Sequence, residues 1–325
     1  PLLVTWYWRT SLPDSQTALP PAVIEVKTVR EFIDAFRAEG LRIGLYFSLI
    51  DWNHPDYPAF NDDDKPYRFG RSRPPSEEQW ARFIDVMFEQ VRELLTNYGK
   101  IDVLWFDGGW ERRPEQWKAK ELEALARELQ PGILMNDRLP TVGDFETPEQ
   151  FVPAQAPAET WETCMTLNGH WGYNAYDHNW KSSTDLIRKL ADICAKGGNF
   201  LLNVGPTAEG EFPPACVERL QAVGKWLRVN GDAIYGTSRS PFPYLAWGVA
   251  TRKGGTLYLH VFDWPKDGKL VVPGVGNDGA TAKLLGGGKL KVSRQGGDLV
   301  VSVPTTAPND ICSVVRLTVT GKPIV

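Results

Sequence analysis

The run Ile101-Asp102-Val103-Leu104-Trp105-Phe106-Asp107-Gly108-Gly109-Trp110 holds the residues best suited to do chemistry. A short apolar strand ends on one carboxylate, Asp107, which two glycines follow and tryptophans flank. In a parallel α/β protein the residue ending such a strand faces the pocket at the carboxyl edge of the sheet. The glycines allow a tight turn and close approach of a ligand. Ring faces stack on the C–H surfaces of a sugar while a carboxylate works on the glycosidic bond, so glycoside chemistry is one reading. An Asp that caps the next helix is the other. Hydrolysis with retention needs two carboxyl groups about 5–5.5 Å apart, one a nucleophile and one an acid/base. Candidates for the second are Glu146 and Glu149 in Asp144-Phe145-Glu146-Thr147-Pro148-Glu149-Gln150, and Glu162 in Thr160-Trp161-Glu162-Thr163. Residue types alone leave all three open. Arg138, just after its own short strand, would clamp a hydroxyl or a carboxylate, or else make a surface ion pair.

The elements that must position these groups alternate from about residue 27 to 237. Lys27 to Glu39 reads as an amphipathic helix with Val29, Phe32, Ile33 and Phe36 on one face, stopped by Gly40. Leu41 to Leu49 reads as a buried strand ending at Ile50-Asp51-Trp52-Asn53-His54-Pro55, and a long helix follows from about Ser76 to Asn97. After the strand ending at Asp107 come a helix over about 114–129, a short strand over 132–135 and Asn136-Asp137-Arg138. Residues 139–181 read as a long irregular region rich in Pro, Trp and Tyr, the kind of loop that carries function. A helix over 183–195, a strand over 199–204 and a helix over 213–229 complete the alternation. The pattern predicts a parallel sheet with helices outside, a barrel or an open sheet. After Gly236 the texture changes to short β-prone runs between Gly, Asp and Pro turns, which predicts a small antiparallel sandwich over 238–325. Trp247 and Trp264 in it are expected to be packing residues more than sugar contacts.

The bulk composition narrows the function classes. A formal charge of −4 and a pI near 5.7 argue against a nucleic-acid footprint, and Arg68, Arg71 and Arg73 read as a solvated loop. No run of 18 apolar residues exists, so no membrane span is expected. The first residues, Pro1-Leu2-Leu3-Val4-Thr5-Trp6, do not read as a signal peptide, and the compartment stays open. The four cysteines have no metal or CxxC spacing and are expected as buried free thiols. The four histidines show no HxH or HExxH pattern, so neither a metal nor a cofactor is expected. Thirteen tryptophans are many for this length, and their position near loop signals suits carbohydrate contact as well as packing.

Several motifs together carry a resemblance. Leu45-Tyr46-Phe47-Ser48-Leu49-Ile50-Asp51-Trp52-Asn53-His54-Pro55-Asp56-Tyr57-Pro58, the strand to Asp107-Gly108, Asn136-Asp137-Arg138 and the loop from Asp144 to Gln150 come first. Trp161-Glu162-Thr163-Cys164, Trp171-Gly172-Tyr173-Asn174 and Gly197-Gly198-Asn199-Phe200-Leu201-Leu202-Asn203-Val204-Gly205-Pro206 follow in order. From about Val26 to Ser238 the chain resembles glycoside hydrolase family 29, the α-L-fucosidases. The resemblance implies an α/β fold: a (β/α) TIM-like barrel, N-terminally shortened here, over 1–237, then an antiparallel β-sandwich over 238–325. It implies retaining hydrolysis of α-L-fucosides without a metal, and a fucosylated glycan or oligosaccharide as partner. By motif, Asp107 matches the nucleophile and Glu149 the acid/base, with Glu162 a runner-up and Glu146 a distant third. Arg138 matches an Arg that holds the sugar and the acid/base region, and Tyr46 a substrate-contacting Tyr. Trp171 lies in the loop that closes over the sugar. Trp52, His54, Trp105 and Glu162 join them as candidate substrate-binding residues.

The chain also departs from the family. Where a His-His signature that holds fucose hydroxyls should stand, it reads Val4-Thr5-Trp6-Tyr7-Trp8-Arg9-Thr10, and Asn53 stands where many relatives carry His. Each lost hydroxyl contact at a polar sugar site costs roughly 1–3 kcal/mol. Weak activity is therefore expected, and two other readings stay open: an inactive carbohydrate-binding barrel, or a glycosidase for another sugar. Missing barrel strands would leave an open sheet edge for a second copy of the chain to cover as a homo-oligomer.

Overall fold

Ser76 starts the longest helix among the described residues by a reciprocal pair of bonds: its hydroxyl accepts from Gln79 N (3.1 Å), and Gln79 Oε1 accepts from Ser76 N (3.3 Å). The structure, a computed structural model, describes residues 3–7, 22–52, 54–57 and 76–323. Of the expectations above, Trp8, Asn53 and the Arg68–Arg73 loop lie outside the described residues, as do the side chains of Trp6 and Tyr7. The chain divides into two units, 1–147 and 148–325.

In the first unit four parallel strands run in the order β1 (Leu3–Tyr7), β2 (Arg42–Ser48), β3 (Val103–Asp107) and β4 (Leu134–Met135). Between them lie helices α1 (Ala22–Ala38), α2 (Glu77–Asn97), α3 (Pro114–Trp117) and α4 (Ala119–Leu129). The first four residues of β3 are all buried, as continuous apolar runs in parallel sheets are. Ile43, Leu45 and Phe47 of β2 and Leu104 and Phe106 of β3 share one core with Ile33, Ile84, Met87, Val91 and Leu122 of the helices. The single helix expected over 114–129 is instead broken at Lys118, whose φ is +48°. Left-handed backbone in a non-glycine residue costs about 1–2 kcal/mol. The fully buried Trp117 beside it, packed 5.3 Å from Trp80 with its indole N–H on Gly109 O (3.0 Å), offsets that cost.

The second unit opens with a parallel pair, β5 (Glu162–Thr166) and β6 (Asn199–Asn203), with α5 (Ser183–Ala195) between them in the chain and α6 (Pro214–Asn230) after. Strand β5 corrects the expectation of an irregular region across 139–181. All five of its residues are buried, yet three are Glu or Thr, so no apolar run or alternation marks it.

Seven antiparallel strands complete the unit: β7 (Gly248–Lys253), β8 (Thr256–Val261), β9 (Lys269–Val272), β10 (Thr281–Leu284), β11 (Lys289–Gln295), β12 (Asp298–Ser302) and β13 (Ser313–Thr318). They form one sheet in the order β7-β8-β13-β10-β11-β12-β9. Leu257, Leu259 and Leu317 nevertheless share a core with Leu270, Val272, Leu299 and Val301 from the other end of that order. The sheet must therefore fold over on itself into two facing layers. Trp247 and Trp264 pack on this core and donate to Val271 O (2.8 Å) and Pro304 O (2.7 Å). All four cysteines are free.

Candidate active site

Asp107 is the last residue of β3, level with Ser48 at the end of β2. Both of its oxygens are occupied: Oδ2 accepts from the Tyr46 hydroxyl (2.5 Å) and Oδ1 from Arg138 Nη1 (2.9 Å). Tyr46 can reach because it precedes Ser48 by two residues in β2 and so points to the same face of the sheet as Asp107's register partner. Arg138 is itself fixed, with Nε on Thr147 Oγ1 (3.0 Å) and Nη2 on Thr147 O (3.3 Å). Thr147 in turn donates from Oγ1 to Asp137 Oδ1 (2.7 Å). The guanidinium lies 4.6 Å over the Trp105 ring, which stacks at 5.7 Å on Tyr46. Arg138 and Asp107 keep only 14% and 21% of their side-chain surface exposed, so water screens this charge pair weakly.

The turn after Asp107 requires its glycines. Gly108 has φ +84°, and a Cβ there would fall 2.6 Å from Ile50; a Cβ on Gly109 would fall 2.2 Å from Arg138 O. One residue before Asp107, the fully buried Asn136 side chain extends the strand ladder. Its Oδ1 accepts from Phe106 N (2.8 Å) and its Nδ2 donates to Phe106 O (2.9 Å). The capping alternative for Asp107 fails, because the helical turn Gly109–Glu111 begins without a side-chain cap.

Two indoles near this turn are half-exposed, Trp110 at 54% and Trp52 at 52%. Trp52 Nε1 donates to Glu111 Oε1 (3.2 Å), and the Tyr57 hydroxyl donates to the other oxygen of Glu111. Burial and this carboxylate hold the Tyr57 phenol well above its usual range, so it stays a donor. His54 has local work: its Nδ1 accepts from Asp56 N (3.1 Å) and its ring packs edge-on to Phe83 (5.2 Å). Trp105 is buried and supports Arg138 rather than offering a free face.

In the second unit, Glu149 forms a parallel bridge with Cys164 of β5, with Cys164 N on Pro148 O (3.1 Å) and Gln150 N on Cys164 O (2.8 Å). Gln150 holds a positive φ of 65°, and its Oε1 accepts from Thr166 N and Oγ1 (3.3 and 3.2 Å). Trp171 Nε1 donates to Glu149 Oε1 (3.1 Å), and Asn203 Nδ2 donates to Trp171 O (2.7 Å). Glu162 is buried at the amino end of β5, two residues before Glu149's bridge partner, or about 6.6 Å along the strand. Glu146 is half-buried in the first unit, between Phe145, which bridges Asn136, and Thr147.

Asn136, Thr147, Trp110, Gln150 and Asn203 were not among the sequence candidates. All five lie within motifs quoted above: Trp110 at the end of the run through Asp107-Gly108-Gly109, Asn136 before Arg138, Thr147 and Gln150 around Glu149, and Asn203 in the strand from Asn199. Nothing in their types alone assigned them a role. Among the described residues no group of three or more His, Cys, Asp or Glu is placed to hold a metal ion, and no helix is long and apolar enough to cross a membrane.

A family profile described as alpha-L-fucosidase matches residues 21–232. An α-L-fucosidase of Dictyostelium discoideum is 29% identical over 307 residues, covering 88% of this chain. One of Branchiostoma floridae is 32% identical over 290 residues, covering 83%. The chain spans 64% and 62% of the lengths of these two relatives. Among solved structures, α-L-fucosidase isoenzyme 1 from Paenibacillus thiaminolyticus superposes with a TM-score of 0.79 at 39% identity, covering 90% of this chain and 75% of that one. An α-L-fucosidase from Bacteroides thetaiotaomicron, trapped as a covalent intermediate with 2-fluoro-fucosyl fluoride, gives 0.79 at 27% identity, covering 94% and 73%. With the matched profile spanning most of the chain, the protein belongs to the α-L-fucosidase family of glycoside hydrolases, family 29.

Proposed function

We propose that this protein hydrolyses α-L-fucosides with retention, on fucosylated glycans or oligosaccharides, through a (β/α) barrel over 1–237 that is followed by a β-sandwich. The observation that carries the reading is the setting of Asp107: a carboxylate at the carboxyl end of β3, with one oxygen held by Tyr46 and the other by Arg138. Asp107 attacks the anomeric carbon and forms a glycosyl ester, while Glu149 protonates the departing oxygen. Glu149 then takes a proton from the water that cleaves the ester. The covalent intermediate trapped in the Bacteroides relative supports a two-step route. Arg138 and Tyr46 fix the nucleophile's orientation, so little of that ordering is left to the reaction itself. The exposed faces of Trp52, Trp110 and Trp171 stack on sugar C–H surfaces. Glu162, buried at the amino end of its strand, serves less well as acid/base than Glu149.

The test is hydrolysis of an aryl α-L-fucoside by the wild type, Asp107→Gly and Glu149→Ala. Asp107→Gly should lose about a thousandfold or more in rate and regain turnover with azide, giving the glycosyl azide of inverted configuration. A folded Asp107→Gly protein that keeps its activity removes Asp107 from the chemistry. The replacement of the family's histidine signature by Val4-Thr5-Trp6-Tyr7-Trp8-Arg9-Thr10 favours a second reading, sugar binding without turnover. Fucose binding by a folded wild type that turns over no aryl glycoside would select it.

A further inference from the structure

The loop that carries Trp171 is tied together by its own polar groups. At its base Lys181 N donates to Leu167 O (2.9 Å), and Lys181 Nζ donates to Thr166 O (2.7 Å) and Asn168 O (3.1 Å). Inside it the buried Asp177 carboxylate accepts three bonds. Gly169 N (2.8 Å) and His170 Nδ1 (2.6 Å) reach Oδ2, and Asn179 N (3.0 Å) reaches Oδ1. These donors come from both sides of Trp171 in sequence, two immediately before it and one after. The fit is tight, because a Cβ on Gly169 would lie 3.0 Å from Asp177 Oδ2. His170 Nε2, left as an acceptor when Nδ1 donates, lies 3.2 Å from Asn174 Nδ2. The His170 contact, first among these, lowers the Asp177 carboxyl below its usual range, which keeps it an acceptor.

Trp171 is 40% exposed, and an indole that free would sample several rotamers unless its backbone were fixed. Its carbonyl is held by Asn203 Nδ2, and its indole N–H rests on Glu149 Oε1. We propose that Asp177 is a positioning residue: by gathering Gly169, His170 and Asn179 it holds the Trp171 indole N–H on Glu149 and so orients that carboxylate. The consequence for catalysis rests on the reading of Glu149 as acid/base; the positioning itself does not. Charge-assisted bonds of this kind are the stronger class, and fixing a working carboxylate through a second layer of bonds is how such groups keep their geometry.

The test reads the Trp171 indole N–H by nitrogen-15 NMR of the full chain, the signal being the one lost in Trp171→Phe. Asp177→Asn should move it toward its position in Glu149→Gln. The same variant should lower kcat/KM about tenfold on a fucosyl oligosaccharide, whose leaving oxygen needs protonation. On α-L-fucosyl fluoride, whose leaving group needs little acid help, the change should stay within about twofold. An indole signal unmoved by Asp177→Asn overturns the proposal. If Asp177→Asn does not fold, His170→Ala, which keeps the two backbone bonds, should move the signal the same way by less, and no movement there overturns it equally. A displaced indole in a protein whose Glu149→Ala variant shows no leaving-group dependence supports the positioning and refutes Glu149 as the acid. A displaced indole with Glu149→Ala discriminating and Asp177→Asn not doing so overturns the catalytic half of the proposal.

Discussion

Asn136→Leu offers a test of how the end of β3 is built. The side chain is fully buried and spends both of its amide groups on Phe106, accepting from its N–H at 2.8 Å and donating to its carbonyl at 2.9 Å. Leucine has the same branching and number of side-chain heavy atoms, though it is bulkier, and it leaves both Phe106 groups buried and unpaired. Each such group costs about 1–3 kcal/mol, so the sum is roughly 2–6 kcal/mol, and local relaxation brings it toward about 3 kcal/mol. With a urea dependence of about 1–3 kcal/mol per molar, the unfolding midpoint should fall by about 1 M or more. Urea unfolding followed by tryptophan fluorescence reads it, since Trp105 and Trp117 are buried in the same unit. Amide exchange at Phe106 and Asp107 should accelerate well below the midpoint, because the lost bonds are local to that strand end. Asn136→Asp keeps the acceptor for Phe106 N but sets an oxygen against Phe106 O, and should be no milder. A midpoint for Asn136→Leu within about 0.2 M of wild type would mean that β3 does not depend on the Asn136 amide, and the account of how Asp107 is placed would be wrong.

Three further predictions concern single positions. Arg138→Lys keeps a charge but cannot span Asp107 and Thr147 together, so kcat/KM on an aryl fucoside should fall about 10–100-fold with the fold intact; less than threefold refutes the clamp. Gly109→Ala puts a methyl 2.2 Å from Arg138 O, far inside contact distance, and should lose activity at least as much as Arg138→Lys while also lowering the melting temperature. His260 is fully buried, and desolvation depresses its folded value from 6.5 to about 4. Between those values the unfolded chain binds the extra proton, so stability is complete above about pH 6.5 and falls as the pH drops toward 4, by about 3 kcal/mol. In His260→Leu that pH slope should vanish from a melting-temperature series; a slope that persists unchanged assigns acid sensitivity to other groups.

What was legible in the sequence follows from how local its cause is. The ending of β3 on Asp107 could be read directly, because an apolar run closed by Gly108-Gly109 marks a strand and then a turn in the local sequence, even though Asn136 secures it from a distance. Helix α2 was legible at its start for the same reason, through Ser76 and Gln79. Strand β5 was not: Thr163 and Thr166 carry polar groups that are buried because residues before the strand receive them, Phe151 O the Thr163 hydroxyl at 3.0 Å and Gln150 Oε1 the Thr166 groups. The break at Lys118 was hidden too, since Trp117 and its acceptor Gly109 O are set by packing.

The residues that hold the two carboxylates fall on the same divide. Arg138 could be nominated from its place just after β4, whereas Tyr46 entered only through the family resemblance; the register of β2 with β3 then explains why Tyr46 reaches Asp107. Asn136 bonds across 30 positions, Thr147 across 9 and 10, and Asp177 across 2, 7 and 8, through groups that any surface Asn, Thr or Asp also carries. A side chain's type tells which bonds it can make; only the fold tells which of them survive desolvation. Buried amides and carboxylates that have found all their partners are therefore where an account of this protein from sequence alone has to stop. They are also where substitution should separate the positioning of its carboxylates from their chemistry.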